Sequence, residues 1–438
     1  MEEIVRFQEV IKTGKIAQHK DEAFYYLSPK KYGPQMWVGK KAWKILRELS
    51  EDALQTSGLS GRVASEAARS ELDRAFFHRF LLKRYRVNDR HAARLIRDVV
   101  IELRSLCVDR IHFIPCHLMS TRAEQAFHLG PVQFVSGSAF RKILVATVHH
   151  ARKSNQIWNR DVLHDTLQYY RGFDWTAKVF VTGHCPETSV EHANSVVRSS
   201  LDFIHLLFGS HNTAKMQVGG ALVAKDTRGM VFLDRQSSLG FSGSIGGQGE
   251  VGFGEDWLMI FYRADFSAVA EVIGIVLQYK ADKVENRPIA TRVLEAAEWF
   301  GEACRHPNDS VSIVSYVTAL ETLLMTDGRD ENGDRRDICE TLSKRVGAAC
   351  CFQFKDRSYQ SEVKLARQAY ALRSNLVHGA PRPGPSELSG ERSRIAKLTK
   401  DAILSTMMAL GPEAMKATDV SVQKLSDWYE QLVLSQTD

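Results

Sequence analysis

From about residue 263 to its C-terminus the chain is an almost continuous succession of helical segments, and this feature limits its fold more than any other. The 3.6-residue period predicts helices over Ala264–Tyr279, Pro288–Arg305, Ser310–Met325, Asp334–Cys351, Ser358–His378, Glu387–Leu410 and Val420–Leu434. Connections between them are short or carry Gly, Pro and Asp/Asn, as antiparallel neighbours require. Helices with one apolar stripe must bury it against one another, so residues 263–438 are expected to form a helical bundle. In Ser310–Met325 the stripe is Ile313, Val317, Leu320 and Leu324, and Glu321 sits beside it, within reach of a neighbouring helix. The residue type at that place suits a structural hydrogen bond or ion pair better than catalysis.

The remainder of the chain has a different pattern. Residues 1–110 read as a basic helical region, with 22 Lys/Arg against 15 Asp/Glu, which accounts for the whole net charge of +6 and leaves the rest close to neutral. Such an asymmetry suits an anionic partner such as RNA. Asn88 is a plausible N-cap for the helix DRHAARLIRDVVIELRSL, which places Leu95, Val99 and Leu103 on one side. Arg90, Arg94, Arg97 and Arg104 recur on another face at i, i+4, i+7 and i+14. This stripe is either a solvated face partly paired with Asp98 and Glu102 or a surface that guides an RNA backbone. Lys83, Arg84 and Arg86 add charge upstream, with Tyr85 among them as a ring on which a base could stack.

Between 111 and 262 the period shortens. RIHFIP from Arg110, VQFV from Val132, AKVFVT from Ala177, ALVA from Ala221 and MVFL from Met230 are short β-type runs, and Pro186–Phe208 reads as one helix stopped by Gly209. A mixed α+β module with a Gly-rich loop is expected here, so the whole chain is predicted to be multidomain and mainly α. Two motif look-alikes are set aside. Gly247–Gly252 matches G-x-G-x-x-G inside the longer tract Gly240–Gly254, without a strand leading into it or a helix starting on its glycines. Gly33–Lys41 resembles a P-loop with one residue too many, and has Lys where Ser or Thr must reach a magnesium ion.

The seven cysteines form no C-x-x-C pair, as expected for reduced thiols in a cytoplasmic protein. The start MEEIVRFQEV lacks the charge and hydropathy pattern of a signal peptide, and the best apolar run, Phe266–Leu277, is broken by Glu271, so no membrane span is expected. The histidines, including His149, His150 and His184, show no zinc-ligand spacing; neither a metal site nor a cofactor is predicted.

Chemistry concentrates in ARQAYALRSNLVHGAP, residues 366–381. Leu365, Ala369, Leu372 and Leu376 form its apolar stripe, and Gly379 and Pro381 are stop signals. At about 100° per residue, Arg373 lies roughly 80° and His378 roughly 220° from the stripe centre, with Tyr370, Ser374 and Val377 between. The spacing predicts a shared outward face. A titrating imidazole beside a permanent guanidinium is a pair suited to phosphate.

Three pieces of the bundle together resemble the ApeA-like branch of the HEPN superfamily: YVTALETLL from Tyr316, LSKRV from Leu342 and YALRSNLVHG from Tyr370. The resemblance covers about residues 285–410, and its signature is an Arg followed four to six residues later by His. It implies metal-independent RNA cleavage by a homodimer joined through this bundle, often in toxin or anti-phage roles, with an antitoxin or regulatory partner. The motif Arg corresponds to Arg373 and the motif His to His378; Tyr370, Ser374, Asn375 and Glu321 support that face. The position after the Arg, often Asn, Asp or His in active members, is Ser374 here. The other reading is a non-catalytic module that binds a nucleotide, RNA or a partner, in which His378 caps the helix and Arg373 pairs with a carboxylate on a neighbouring helix.

Overall fold

A computed structural model describes residues 24–27, 36–83, 85, 87–118, 124–153, 160–213, 216–219, 230–234, 239–242, 264–282, 285–326, 337–379 and 384–436. The chain divides into two compact units, one made of residues 1–110 and 181–192, the other of residues 111–180 and 193–438.

The first unit begins with an antiparallel hairpin, β1 (Phe24–Leu27) and β2 (Met36–Gly39), pairing Phe24 with Gly39 and Leu27 with Met36. This corrects the wholly helical expectation for residues 1–110: FYYL and MWVG are aromatic and β-branched runs too short to hold a helical turn pattern. Helices α1 (Lys40–Ser57), α2 (Ser65–Phe76) and α3 (Asp89–Leu106) follow, with a π-helical turn, Phe77–Leu82, continuing α2. Asn88 caps α3 as predicted, its side chain accepting from the His91 N–H at 2.9 Å. Leu95, Val99 and Leu103 pack into a core with Leu46, Leu72 and Phe80. The return segment enters that core through Cys185, whose N–H donates to the Arg62 carbonyl at 2.8 Å.

The second unit joins a sheet to the bundle. The strands of this sheet are β3 (Val108–His117, in this unit from Ile111), β4 (Ala126–Leu129), β5 (Val132–Ser136), β6 (Trp175–His184, in this unit to Phe180), β7 (Gln217–Val218), β8 (Met230–Asp234) and β9 (Leu239–Ser242), in the order β4-β5-β6-β3-β8-β9 with β7 on β3. β5 is antiparallel to both β4 and β6, with Phe134 opposite Phe127 on one side and Ala177 on the other. A helical hairpin of α4 (Gly137–Lys153) and α5 (Arg160–Tyr170) packs through Phe140, Leu144 and Tyr170 on Phe113 and Val135 of the sheet. The expected strand at Ala221–Ala224 and the G-x-G-x-x-G match lie outside the described residues.

Helix α6 (Pro186–Phe208) has the predicted limits and is followed by the short α7 (Ser210–Thr213). The bundle comprises α8 (Ala264–Asp282), α9 (Pro288–Arg305), α10 (Asp309–Leu324), α11 (Ile338–Gln353), α12 (Tyr359–His378), α13 (Pro385–Lys416) and α14 (Val422–Leu434). α13 runs past the expected end at Leu410, bending where Gly411 adopts φ 72° ahead of Pro412. Its Arg392 stops α9, donating to the carbonyls of Ala303, Cys304 and His306 and to Asp309. The protein is thus mainly helical with a small sheet carrying antiparallel pairings. Among the described residues no helix is long and apolar enough to cross a membrane, and the cysteines are free thiols.

Candidate active site

α12 ends at His378 because Gly379, with φ 79°, takes the left-handed position that a side chain would strain, and its N–H returns to the Asn375 carbonyl. The buried ridge of the helix is Ala366, Ala369 and Leu376, spaced 3 and 7 residues apart, with Leu365 and Leu372 only half-buried beside it. Position 373 falls on this ridge, not 80° from it. The sequence-based stripe gave both flanking leucines full weight and so rotated the axis of burial.

Arg373 consequently turns into the seam with α10 instead of sharing an outward face with His378. Its Nη2 donates to Glu321 Oε2 at 3.0 Å, with both side chains about a quarter or less exposed (24% and 20%). Its guanidinium carbon lies 5.8 Å from the centre of the Tyr370 ring. Arg373 Nε is buried and meets no acceptor among the described residues. Burial raises the Glu321 carboxyl above its ordinary value, with the Arg373 charge opposing that rise, and burial also raises Tyr370. His378, Val377 and Asn375 are exposed and Ser374 is half-buried. The imidazole is displaced from Arg373 by five residues, about 7.5 Å along the axis and roughly 140° around it. The structure therefore joins Arg373, Glu321 and Tyr370, and leaves His378 at the helix end facing outward.

The end of α10 that carries Glu321 is held by two guanidiniums. Arg292 Nη1 donates to the carbonyls of Thr322 at 2.8 Å and Met325 at 2.6 Å. Arg345, on α11, donates to the Leu324 carbonyl at 2.7 Å and to Thr326 Oγ1 at 3.3 Å, while its other arm reaches Ser426 and Glu430 of α14. Cations at a helix C-terminus satisfy its free carbonyls and oppose its dipole. Sequence reading singled out neither residue, although Arg345 stands between Leu342 and Val346 on a segment that is otherwise apolar on that face. A lone Arg in a core stripe is the available signal.

The arginine stripe of α3 is exposed at Arg90, Arg94, Arg97 and Arg104. The carboxylates expected to neutralise it are engaged elsewhere: Asp98 binds Arg79, and Glu102 lies 3.5 Å from Arg74. Arg97 touches Asp98 only at 4.0 Å, and the other three have no ion pair among the described residues. Tyr85 stacks on His91 with ring centres 5.1 Å apart; Arg84 and Arg86 lie outside the described residues.

Among the described residues no group of three or more His, Cys, Asp or Glu side chains could hold a metal ion. No family model matches the chain, and no curated protein or solved structure matches it either.

Proposed function

We propose that the protein is a HEPN-type endoribonuclease that cleaves RNA without a metal ion and acts in anti-phage defence or as a toxin. The ribose 2′-oxygen attacks the adjacent phosphorus, the bond from phosphorus to the 5′-oxygen breaks, and the products are a 2′,3′-cyclic phosphate and a 5′-hydroxyl. One imidazole takes the 2′-hydroxyl proton and another protonates the departing 5′-oxygen. Two bundles in a homodimer supply the two copies of His378, and Arg373 binds the phosphate and the charge that grows on it. The α3 stripe guides the RNA backbone.

The observation that carries this reading is the state of Arg373: a guanidinium held by Glu321, with a buried Nε lacking an acceptor among the described residues, on the helix whose last turn exposes His378. In this reading the phosphate takes the guanidinium donors at the exposed edge that the Glu321 pair leaves over. The second reading, a non-catalytic HEPN module binding RNA, a nucleotide or a partner, is favoured by the ion pair that already engages Arg373 with Glu321.

The test is incubation of the purified protein with mixed cellular RNA in excess EDTA, beside Arg373→Ala and His378→Ala variants, with identification of the ends formed. Cleavage that leaves cyclic phosphates and disappears in both variants is expected. Cleavage abolished by EDTA, or retained by His378→Ala, overturns the mechanism. An inert wild-type protein that still binds RNA favours the second reading.

A further inference from the structure

The hairpin of α4 and α5 encloses an open-mouthed cavity of about 370 Å³, at the small end of the roughly 300–1,000 Å³ range of ligand pockets. Its floor is Phe140, Leu144 and Tyr170, all buried, and the Tyr170 hydroxyl is already committed to the Phe113 carbonyl. Val148 and Leu167 form the walls, and Val145 lies at the mouth, 70% exposed. An isopropyl group so placed gains from being covered.

The polar lining is of one kind. Arg141, Arg171 and His149 line the cavity, and among the described residues no carboxylate does. Arg171 follows the last residue of α5, and Arg141 follows Phe140, whose ring lies 4.8 Å from that of Tyr170, so the two guanidiniums belong to the same end. Arg171 uses Nη1 on Gln168 Oε1 at 3.1 Å, which leaves its remaining donors for a ligand, and Arg141 has no ion pair among the described residues. His149 lies eight residues, about 12 Å, further along α4. Between the ends run, among the described residues, Leu144, Val145, Val148 and Leu167.

A neutral apolar partner would cover the valines but take two guanidiniums out of water without an acceptor. An inorganic anion would satisfy the guanidiniums and leave the trough bare. We propose that this cavity binds an amphipathic carboxylate, its head on the Arg141 and Arg171 end and its acyl body along Leu144 and Val148 toward His149. The planar guanidinium forks match a carboxylate in geometry as well as charge. The site is independent of Arg373 and His378, so it stands or falls separately from the nuclease reading.

The experiment is isothermal titration of the full-length protein with decanoate, octanoate and decanol, each below its aggregation concentration. Decanoate is expected to bind one-to-one, about tenfold or more tightly than octanoate, which buries two fewer methylenes. Decanol, with the same tail and no charge, is expected to bind at least about tenfold more weakly than decanoate. The double variant Arg141→Ala/Arg171→Ala should bind the alcohol unchanged and lose its preference for the acid, with an unaltered circular dichroism spectrum. Val145→Asp, at an exposed position the fold tolerates, should weaken both ligands. Absence of saturable decanoate binding, several equivalent sites, equal affinity for acid and alcohol, or a preference that survives the double variant each overturns the proposal.

Discussion

Replacing Arg345 by Met tests how the candidate site is held in place. The Arg345 side chain is 1% exposed, and its guanidinium spans Leu324 O at 2.7 Å, Ser426 Oγ at 3.0 Å and Glu430 Oε1 at 2.8 Å, over the Tyr429 ring at 5.0 Å. Methionine keeps most of the stem and removes every donor. The Leu324 carbonyl and the Ser426 hydroxyl are then left buried, at about 1–3 kcal/mol for each unsatisfied group. The stacking on Tyr429, worth about 1–2 kcal/mol when desolvated, is lost as well. Opposing this, the protein no longer desolvates a guanidinium, a relief of several kcal/mol. The net expectation is a loss of about 3 kcal/mol, at the low end for breaking a buried charged cluster from one side. Glu430 is 48% exposed and regains water easily, so Glu430→Gln should cost under about 1 kcal/mol. Urea unfolding followed by tryptophan fluorescence measures both, and hydrogen exchange should show early opening of α14 in the Arg345 variant alone. If Glu430→Gln costs as much as Arg345→Met, or Arg345→Met costs under about 1 kcal/mol, the clamp resides in the ion pair or is absent, and the reasoning fails.

Three further outcomes follow from named contacts. At Gly301 an added Cβ would stand 1.9 Å from Asp202 Oδ1, so Gly301→Ala should lose about 2–4 kcal/mol in urea unfolding, and a change below about 1 kcal/mol refutes the close packing of α6 on α9. Burial raises the Asp202 carboxyl to about 6, against the pull of Arg305 at 2.6 Å; since its unfolded value is about 3.9, the folded state holds the extra proton between these limits. This group's contribution to stability is therefore full below about pH 4 and lost as pH rises through about 6. Wild type should gain stability relative to Asp202→Asn on acidification from pH 7 to 4.5, and a carboxyl carbon resonance titrating below pH 4 contradicts this. Removing Arg90, Arg94 and Arg97 together should reduce the slope of log affinity against log salt for single-stranded RNA by about 2, and an unchanged slope identifies a merely solvated face.

Local signals made much of this protein legible. Asn88 announces α3 through its capping oxygen, Pro186 and Gly209 bracket α6, and Pro288 opens α9, because caps and breakers act within a turn of where they stand in sequence. Residues 24–27 and 36–39 are strands within a region expected to be helical, because aromatic residues serve helices and strands alike and only the pairing of Phe24–Leu27 with Met36–Gly39 decides between them. The candidate site was legible in its residues and not in its arrangement. Arg373, Glu321 and Tyr370 were all singled out, yet the seam that unites the first two depends on which ridge of α12 is buried.

The helical bundle, the basic face of α3 and the helix end at which His378 stands are local properties of the chain, since each follows from periodicity, charge order or a glycine that accepts positive φ. Helix packing places Arg373 in the α10 seam against Glu321, lets Arg345 tie α10 to α14, and brings Arg141 and Arg171 to the lining of one cavity. The two pairs and the shared cavity join residues 52, 85 and 30 positions apart, and bringing such distant residues together depends on how helices pack, which no local pattern encodes.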